Sequence, residues 1–405
     1  MINRETYIKK ISEWKDKKII KVITGMRRTG KSSILELYAD DLRKSGVNNK
    51  NIIYINFEDL MFERYQDYKE LYSYINSCIK GKNMYYIFLD EIQLVDEFEK
   101  AINSLFLKDN VDIYLTESNA KLLSTEISTL LTGRYIEIKM YPLSFSEYLN
   151  FVNSNNNNNM ENNFENYLKY GGMPYTTELQ LNQKNIYDYL KGIFDTVVIK
   201  DVVMKNNIKD VQTLYSVINF LFDNIGNTTS INKISNTLSS NGKKTNAVTI
   251  DNYVKFLIDS FVIYKVKRFD IKGKGYLKTQ EKYYIADIGL RNAVLGLRDI
   301  DQGHILENIV FLELKRRGFE VSIGKMRDYE IDFIASNHNY KLYIQVALTV
   351  KEKNTLDREL YPLQKLKNSY PKILITQDRL LNKDFEGILH FNIIDFLTSN
   401  IDLFK

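Results

Sequence analysis

The sequence predicts an α/β protein whose first domain is a parallel sheet built around a phosphate-binding loop. Two stretches and their spacing carry that prediction. Residues 21–33, KVITGMRRTGKSS, form a β-branched run that breaks at Gly25 and restarts as a helix after Gly30, filling the pattern G-x-x-x-x-G-K-[ST] with Gly25, Gly30, Lys31 and Ser32. Residues 84–91, MYYIFLDE, form an apolar strand that ends in two adjacent carboxylates, and so hydrophobic a strand belongs in a parallel sheet covered on both faces. A strand and a helix separate the two, as a loop-and-acid pair in one sheet requires.

Each element has its own reason. Residues 5–14 read as a helix leading into the first strand, and the helix after the loop places Ile34, Leu35, Leu37 and Tyr38 on one face. Residues 51–56, NIIYIN, are a second buried strand, followed by Phe57, Glu58 and Asp59 at its C-terminal end, where open α/β sheets place ligands. Tyr and Leu at three- and four-residue spacing make 66–80 a core-packing helix. Residues 111–116 are a fourth strand, 120–131 a helix and 135–139 a fifth strand.

The chemistry expected of this half follows from the residue types. In the loop formed by Gly25, Met26, Arg27, Arg28, Thr29, Gly30, Lys31, Ser32 and Ser33, glycines let backbone N–H groups turn inward around a phosphate. Lys31 would reach the β- and γ-phosphates, and the Ser32 hydroxyl would bind Mg²⁺, so ATP with Mg²⁺ is the expected ligand. Asp90 would support the metal, and Glu91 would polarise the attacking water. Ser118 and Asn119, at the tip of the fourth strand, either contact the γ-phosphate or its water or cap the following helix. Arg134, after Gly133, is either a surface cation complementing a helix dipole or an arginine finger for a neighbouring subunit.

Composition sets the outer limits. With 405 residues, 44% hydrophobic and 26% charged, the chain suits two to four globular domains. A single cysteine, Cys78, excludes an internal disulfide framework and a cysteine-rich zinc site. No apolar run approaches a membrane span, and MINRETYIKK has no signal-peptide core, so the expectation is a cytoplasmic protein without membrane contact. A net charge of +5 permits nucleic-acid contact without arguing for it.

GMRRTGKSS, FLDEIQ, the strand before SNA, LLTGR and MYPLSFSEYL, in that order, resemble the prokaryotic AAA-type ATPases that carry a C-terminal domain of unknown function and are related to the archaeal ATPase group. The resemblance continues through Tyr170, Gly171, Gly172, Met173 and Pro174 and the helix around 194–201. It implies an AAA-type ATPase domain over 1–145 and a helical lid over 146–208, with an asparagine-rich solvated loop at 153–163. Several family members carry Gly where this chain has Glu117, which implies either an acid near the γ-phosphate, bearing on hydrolysis rate more than on nucleotide binding, or a side chain that points away from it.

The remainder divides into two further expected domains. Over 209–297, helical segments 229–239 and 249–259 and strand-like runs 261–269 and 282–286, with Lys272, Gly273, Lys274 and Gly275 at the tip between them, look like a winged helix-turn-helix. Its presumed recognition helix, TIDNYVKFLIDS, offers few cations, which leaves DNA and protein as equal alternatives for a partner.

Over 298–405 the order helix 305–317, strands 320–323, 330–334 and 342–346, helix 356–366 and strand 372–376 resembles the restriction-endonuclease-like fold. The resemblance implies a second metal site at Glu307, Asp332 and Gln345. Gln345 and Ala347 stand where that fold has Glu and Lys, so the site is expected to be degenerate unless Lys325 supplies the missing cation.

The function expected from the whole is Mg²⁺-dependent ATP hydrolysis that drives rearrangement of the later domains on DNA or a protein partner, with homo-oligomers admitted. An ATP-regulated DNA nuclease and a nucleotide-dependent scaffold are the alternatives.

Overall fold

A computed structural model of the chain describes residues 4–119, 131, 133–152, 159–179, 181–243, 245–273, 275–276, 280–298, 302–379 and 382–399. The helix expected over 120–131 lies outside these residues save for Leu131, as do 153–158 of the asparagine run and Lys274. The chain divides into two compact units, Met1–Tyr141 with Asp259–Phe261, and Pro142–Ile258 with Val262–Lys405.

The first unit is a five-stranded sheet between helices. Its strands are β1 (Ile20–Thr24), β2 (Ile52–Asn56), β3 (Tyr85–Asp90), β4 (Val111–Glu117) and β5 (Tyr135–Lys139), in the order β2-β3-β4-β1-β5 and all parallel. Helices α1 (Glu5–Ser12), α2 (Lys31–Lys44), α3 (Tyr68–Cys78) and α4 (Phe98–Phe106) cover it. Successive strand residues point to opposite faces, so two cores form. Ile34, Leu35 and Tyr38 of α2 pack with Ile23, Phe88 and Tyr114 on one face. Leu71 and Ile75 of α3 and Ile102 of α4 pack with Val22, Leu89, Ile113 and Leu115 on the other. Every residue of β3 is buried, as expected of a strand covered on both sides.

The second unit begins with helices α5 (Phe145–Val152), α6 (Met160–Tyr170) and α7 (Gln183–Thr196), the last running on into a π-helical stretch, Val197–Met204. Three more helices, α8 (Val211–Asp223), α9 (Ile231–Ser240) and α10 (Ala247–Asp259), precede strands β6 (Ile263–Val266), β7 (Arg268–Asp270), β8 (Gly275–Tyr276) and β9 (Lys282–Ile285). Helices α11 (Ile288–Leu295) and α12 (Gln302–Arg316) follow, then β10 (Glu320–Met326), β11 (Tyr329–Ser336), β12 (Lys341–Val346), helix α13 (Lys353–Gln364), β13 (Lys372–Thr376), β14 (Asp384–Phe385), β15 (Ile388–Asn392) and helix α14 (Ile393–Thr398). Eight of these strands make one mixed sheet, β14-β15-β13-β12-β11-β10-β7-β8, while β6 and β9 pair antiparallel by themselves.

One sequence expectation changes here. The run 261–269 is two strands, and β7 leaves the β6 ladder to pair in parallel with β10, Ile323 opposite Arg268. The tip expected between the two runs therefore leads from β7 into β8, the edge strand of the larger sheet. Unpaired edge groups drive that capture, because a strand beside β10 satisfies a row of backbone donors and acceptors.

Candidate nucleotide site

The loop between β1 and α2 is shaped by its two glycines. Gly25 sits beneath the end of β5, where an added Cβ would meet the Met140 carbonyl oxygen at 2.2 Å. Gly30, the N-cap of α2, is left-handed at φ +95°, which a side chain would strain. The Thr29 hydroxyl donates to Met26 O at 2.9 Å, and buried Arg4 donates to Thr29 O and Tyr141 O, both at 3.0 Å. Arg4 thus pins the loop to the end of β5. Nothing local marks it in the sequence, because its acceptors lie 25 and 137 residues away.

Lys31 is buried and donates to Gly25 O at 3.1 Å and Met26 O at 3.2 Å, with Glu91 Oε1 3.8 Å from its ammonium. Arg27 pairs with Glu58 at 3.1 Å, and exposed Arg28 is left-handed at φ +65°. Ser32 and Ser33 begin α2, half-buried, with Ser32 hydrogen-bonded to Asp90.

The acids stand at the C-terminal end of β3. Thr116 of β4 binds both of them, its hydroxyl donating to Asp90 Oδ1 and accepting from Glu91 N at 2.8 Å. The Ser118 hydroxyl lies 3.0 Å from Glu91 Oε1, and Gln93 donates to Glu91 Oε2. Glu91 is left-handed at φ +55°, a conformation rare for a residue with a Cβ. Burial raises the Asp90 carboxyl above its ordinary range against the hydrogen bonds of Thr116 and Ser32. Burial also pushes Glu91 up, but the Lys31 ammonium, Gln93, Arg27 and Ser118 together bring it below the ordinary range. Glu91 is therefore an ionised acceptor at neutral pH.

The donor set fits Mg²⁺. Asp90 Oδ2 is buried with no hydrogen-bond partner, which native structures rarely tolerate, and it belongs to a carboxylate bonded to the Ser32 hydroxyl. Hard oxygen ligands of this kind are what Mg²⁺ takes.

Three expectations about neighbouring residues are corrected or narrowed. Glu117 is buried in β4 on the face of Ile113 and Leu115, opposite Thr116 and Asp90, so the pleat turns its side chain away from the phosphate loop. Ser118 is brought to Glu91, and Asn119 follows it, buried. Arg134 lies at the other end of the sheet, since Ile20 N bonds Arg134 O and the loop begins after Thr24, about 16 Å along the strand. Its guanidinium donates to Asn103 at 3.2 Å and covers the Phe106 ring at 5.6 Å.

The three acid-site residues expected of the second unit also meet. Asp332 Oδ2 accepts from Val346 N at 2.9 Å, Gln345 Oε1 lies 3.4 Å from Asp332 N, and Gln345 donates to Glu359 at 3.0 Å. Their cation is not Lys325 but Lys282 of β9. Its ammonium lies 2.9 Å from Glu307, 3.0 Å from Glu330 and 3.8 Å from Asp332, while Tyr284 donates to the same Glu307 oxygen. Burial would lower the Lys282 pKa, yet Glu307, Asp332 and Glu330 outweigh it and hold the ammonium charged far above pH 7. Among the described residues no three His, Cys, Asp or Glu side chains form a group able to hold a metal ion. Lys325 makes no ion pair with these acids.

Comparison with known proteins agrees with the geometry. Residues 17–149 match an AAA domain, and residues 161–301 match a domain of unknown function, DUF8612. An uncharacterized protein of Haemophilus influenzae is 42% identical over 399 residues, 98% of each chain. The chain belongs with it to one family, and its first third is an AAA domain. Another member of that similarity group, an uncharacterized protein of Methanocaldococcus jannaschii, is 33% identical over 382 residues, 90% of this chain and 81% of that one. The AAA-type fold is shared with a Walker-type ATPase of Pyrococcus abyssi, at TM-score 0.52 and 16% identity over 73% of this chain and 96% of that one. No described helix of the ATPase is long and apolar enough to cross a membrane.

Proposed function

We propose that the first unit binds ATP with Mg²⁺ in the cytoplasm and hydrolyses it, and that turnover alters how the second unit engages a protein or DNA partner. The observation that carries this reading is the placement of ionised Glu91 beside Lys31 and Ser118, with the unsatisfied Asp90 oxygen next to Ser32. Lys31, released from its two carbonyls, would neutralise phosphate oxygens. Ser32 and Asp90 would hold Mg²⁺, which when bound neutralises charge between the β- and γ-phosphates. Glu91 would accept the proton of the attacking water, with Ser118 fixing its carboxylate.

Arg134 cannot serve the loop of its own chain from the far end of the sheet, so a finger role would require a second copy. Helices α8–α10 with the β6–β9 ladder support a winged-helix reading, and the order from α12 to β13 supports a restriction-endonuclease-like one. A nuclease activity is disfavoured by Lys282, which sits among the acids that a metal would need.

The test is Glu91→Gln. It is expected to retain ATP binding in a titration with labelled nucleotide while phosphate release falls about 10²–10⁴-fold. Unchanged release would remove Glu91 from the reaction.

A further inference from the structure

The second unit carries a groove that the ATPase reading does not use. Along β7, β10, β11, β12 and α13 runs a cavity of about 890 Å³. Five cations line it, Lys272, Arg327, Lys341, Lys365 and Lys367, and no carboxylate does. None of the five is held in an ion pair among the described residues. Four of them are exposed and Lys341 is half-buried.

Aromatic rings are interleaved with these charges. Phe269, Tyr329, Tyr343 and Tyr361 share the lining. The Lys341 ammonium stands 5.6 Å from the Phe269, Tyr343 and Tyr370 rings alike, and Lys365 stands 4.8 Å from the Tyr361 ring. Tyr329 and Tyr361 meet edge to face with centroids 5.0 Å apart, and each is 38% exposed. Rings held in place by neighbours and open to solvent on a face are stacking platforms.

The same two tyrosines also wall a second cavity, of about 450 Å³, whose lining includes Asp328, Glu330, Asp357 and Glu359. Phosphates would be drawn along the first cavity and repelled by the second, so the tyrosine pair marks where a polyanion must stop or turn.

From this combination we infer that the groove binds single-stranded nucleic acid, with the five cations on backbone phosphates and Tyr329 and Tyr361 against bases. A duplex keeps its base faces stacked inside and offers the tyrosines nothing, and an acidic peptide would use the cations without the rings. Glu307, Glu330 and Asp332, closed around Lys282, leave the bound strand uncut. This inference does not depend on the ATPase reading.

The test uses the full chain without ATP and a 5′-labelled oligothymidylate of about twelve nucleotides, followed by fluorescence anisotropy. Contacts with about four phosphates predict an affinity loss of about fiftyfold between roughly 50 and 200 mM salt. The double variant Arg327→Glu, Lys367→Glu, both on exposed positions, is expected to abolish binding, and Tyr361→Ala to weaken it about tenfold. Lys31→Ala is expected to bind the oligonucleotide as the parent does, which separates this groove from the phosphate loop. Absence of salt-dependent binding overturns the inference, as does retention of binding in the double variant. Equal affinity for a duplex of the same length, or displacement of the oligonucleotide by thymidine monophosphate at equal nucleotide concentration, overturns it too.

Discussion

Each of the two units sets a buried lysine among carboxylates, at the end of a strand in the first and between β9, α12 and β11 in the second, and the two arrangements differ in how completely the charges are closed. Around Lys31 the Glu91 carboxylate is 3.8 Å away, the ammonium rests on two backbone carbonyls, and Asp90 keeps one oxygen without a partner. Around Lys282 two carboxylates lie at 2.9 and 3.0 Å, Tyr284 donates to Glu307 and Val346 N to Asp332. Unspent hydrogen-bonding capacity in the first site is what a charged ligand can take up. In the second it has already been taken by the chain, so its charges hold β9, α12 and β11 together.

Removing each lysine in turn is the strongest test of that contrast. Lys282→Met leaves buried Glu307 uncompensated and is expected to destabilise the second unit by about 3–5 kcal/mol in denaturant titration. Lys31→Met should stay within about 1 kcal/mol of the parent, since Ser118 and Gln93 still bond Glu91, while ATP binding is lost. Equal losses of stability would break the distinction.

A third buried acid sharpens the comparison because its contacts are mainly backbone. Asp287 caps α11, accepting from Leu290 N at 3.1 Å and from Gly172 N at 2.6 Å, and burial raises it to about 6 against these hydrogen bonds and the nearby Arg316. The folded form then binds a proton more tightly than the unfolded one, whose carboxyl titrates near pH 4. Stability from this group is greatest below about pH 4 and falls by about 3 kcal/mol as pH rises to about 6, then levels off. Asp287→Asn is expected to flatten that slope in unfolding curves taken across the window. The smallest effect is expected at Lys325, where Ala should change stability by less than about 0.5 kcal/mol and leave the Lys282 cluster intact.

The sequence was informative wherever the determinants are close in the chain. The loop between Gly25 and Ser33 and the pair Asp90–Glu91 are contiguous, and their strands announce themselves by β-branched and apolar runs. Glu307, Asp332 and Gln345 could be aligned only through the resemblance of the helix and strand order over 305–376 to the restriction-endonuclease-like fold. Lys282 could not, because it enters from a strand of a different ladder 25 residues before Glu307. Arg4 was hidden for the same reason. The split of 261–269 at Lys267 has no breaker residue to mark it, and it depends on β10, which the chain has not yet reached. After Thr376 the short strand β14 has too few residues to show an alternation.

Glu91 has a further consequence, for how this chain responds to selection. A left-handed backbone at a residue with a Cβ costs about 1–2 kcal/mol, and glycine would adopt it freely. A library screened for thermal resistance alone should therefore enrich glycine at position 91 and return robust, inactive proteins. Retention of glutamate there under the same screen would show that its contacts with Lys31, Gln93 and Ser118 outweigh the backbone strain.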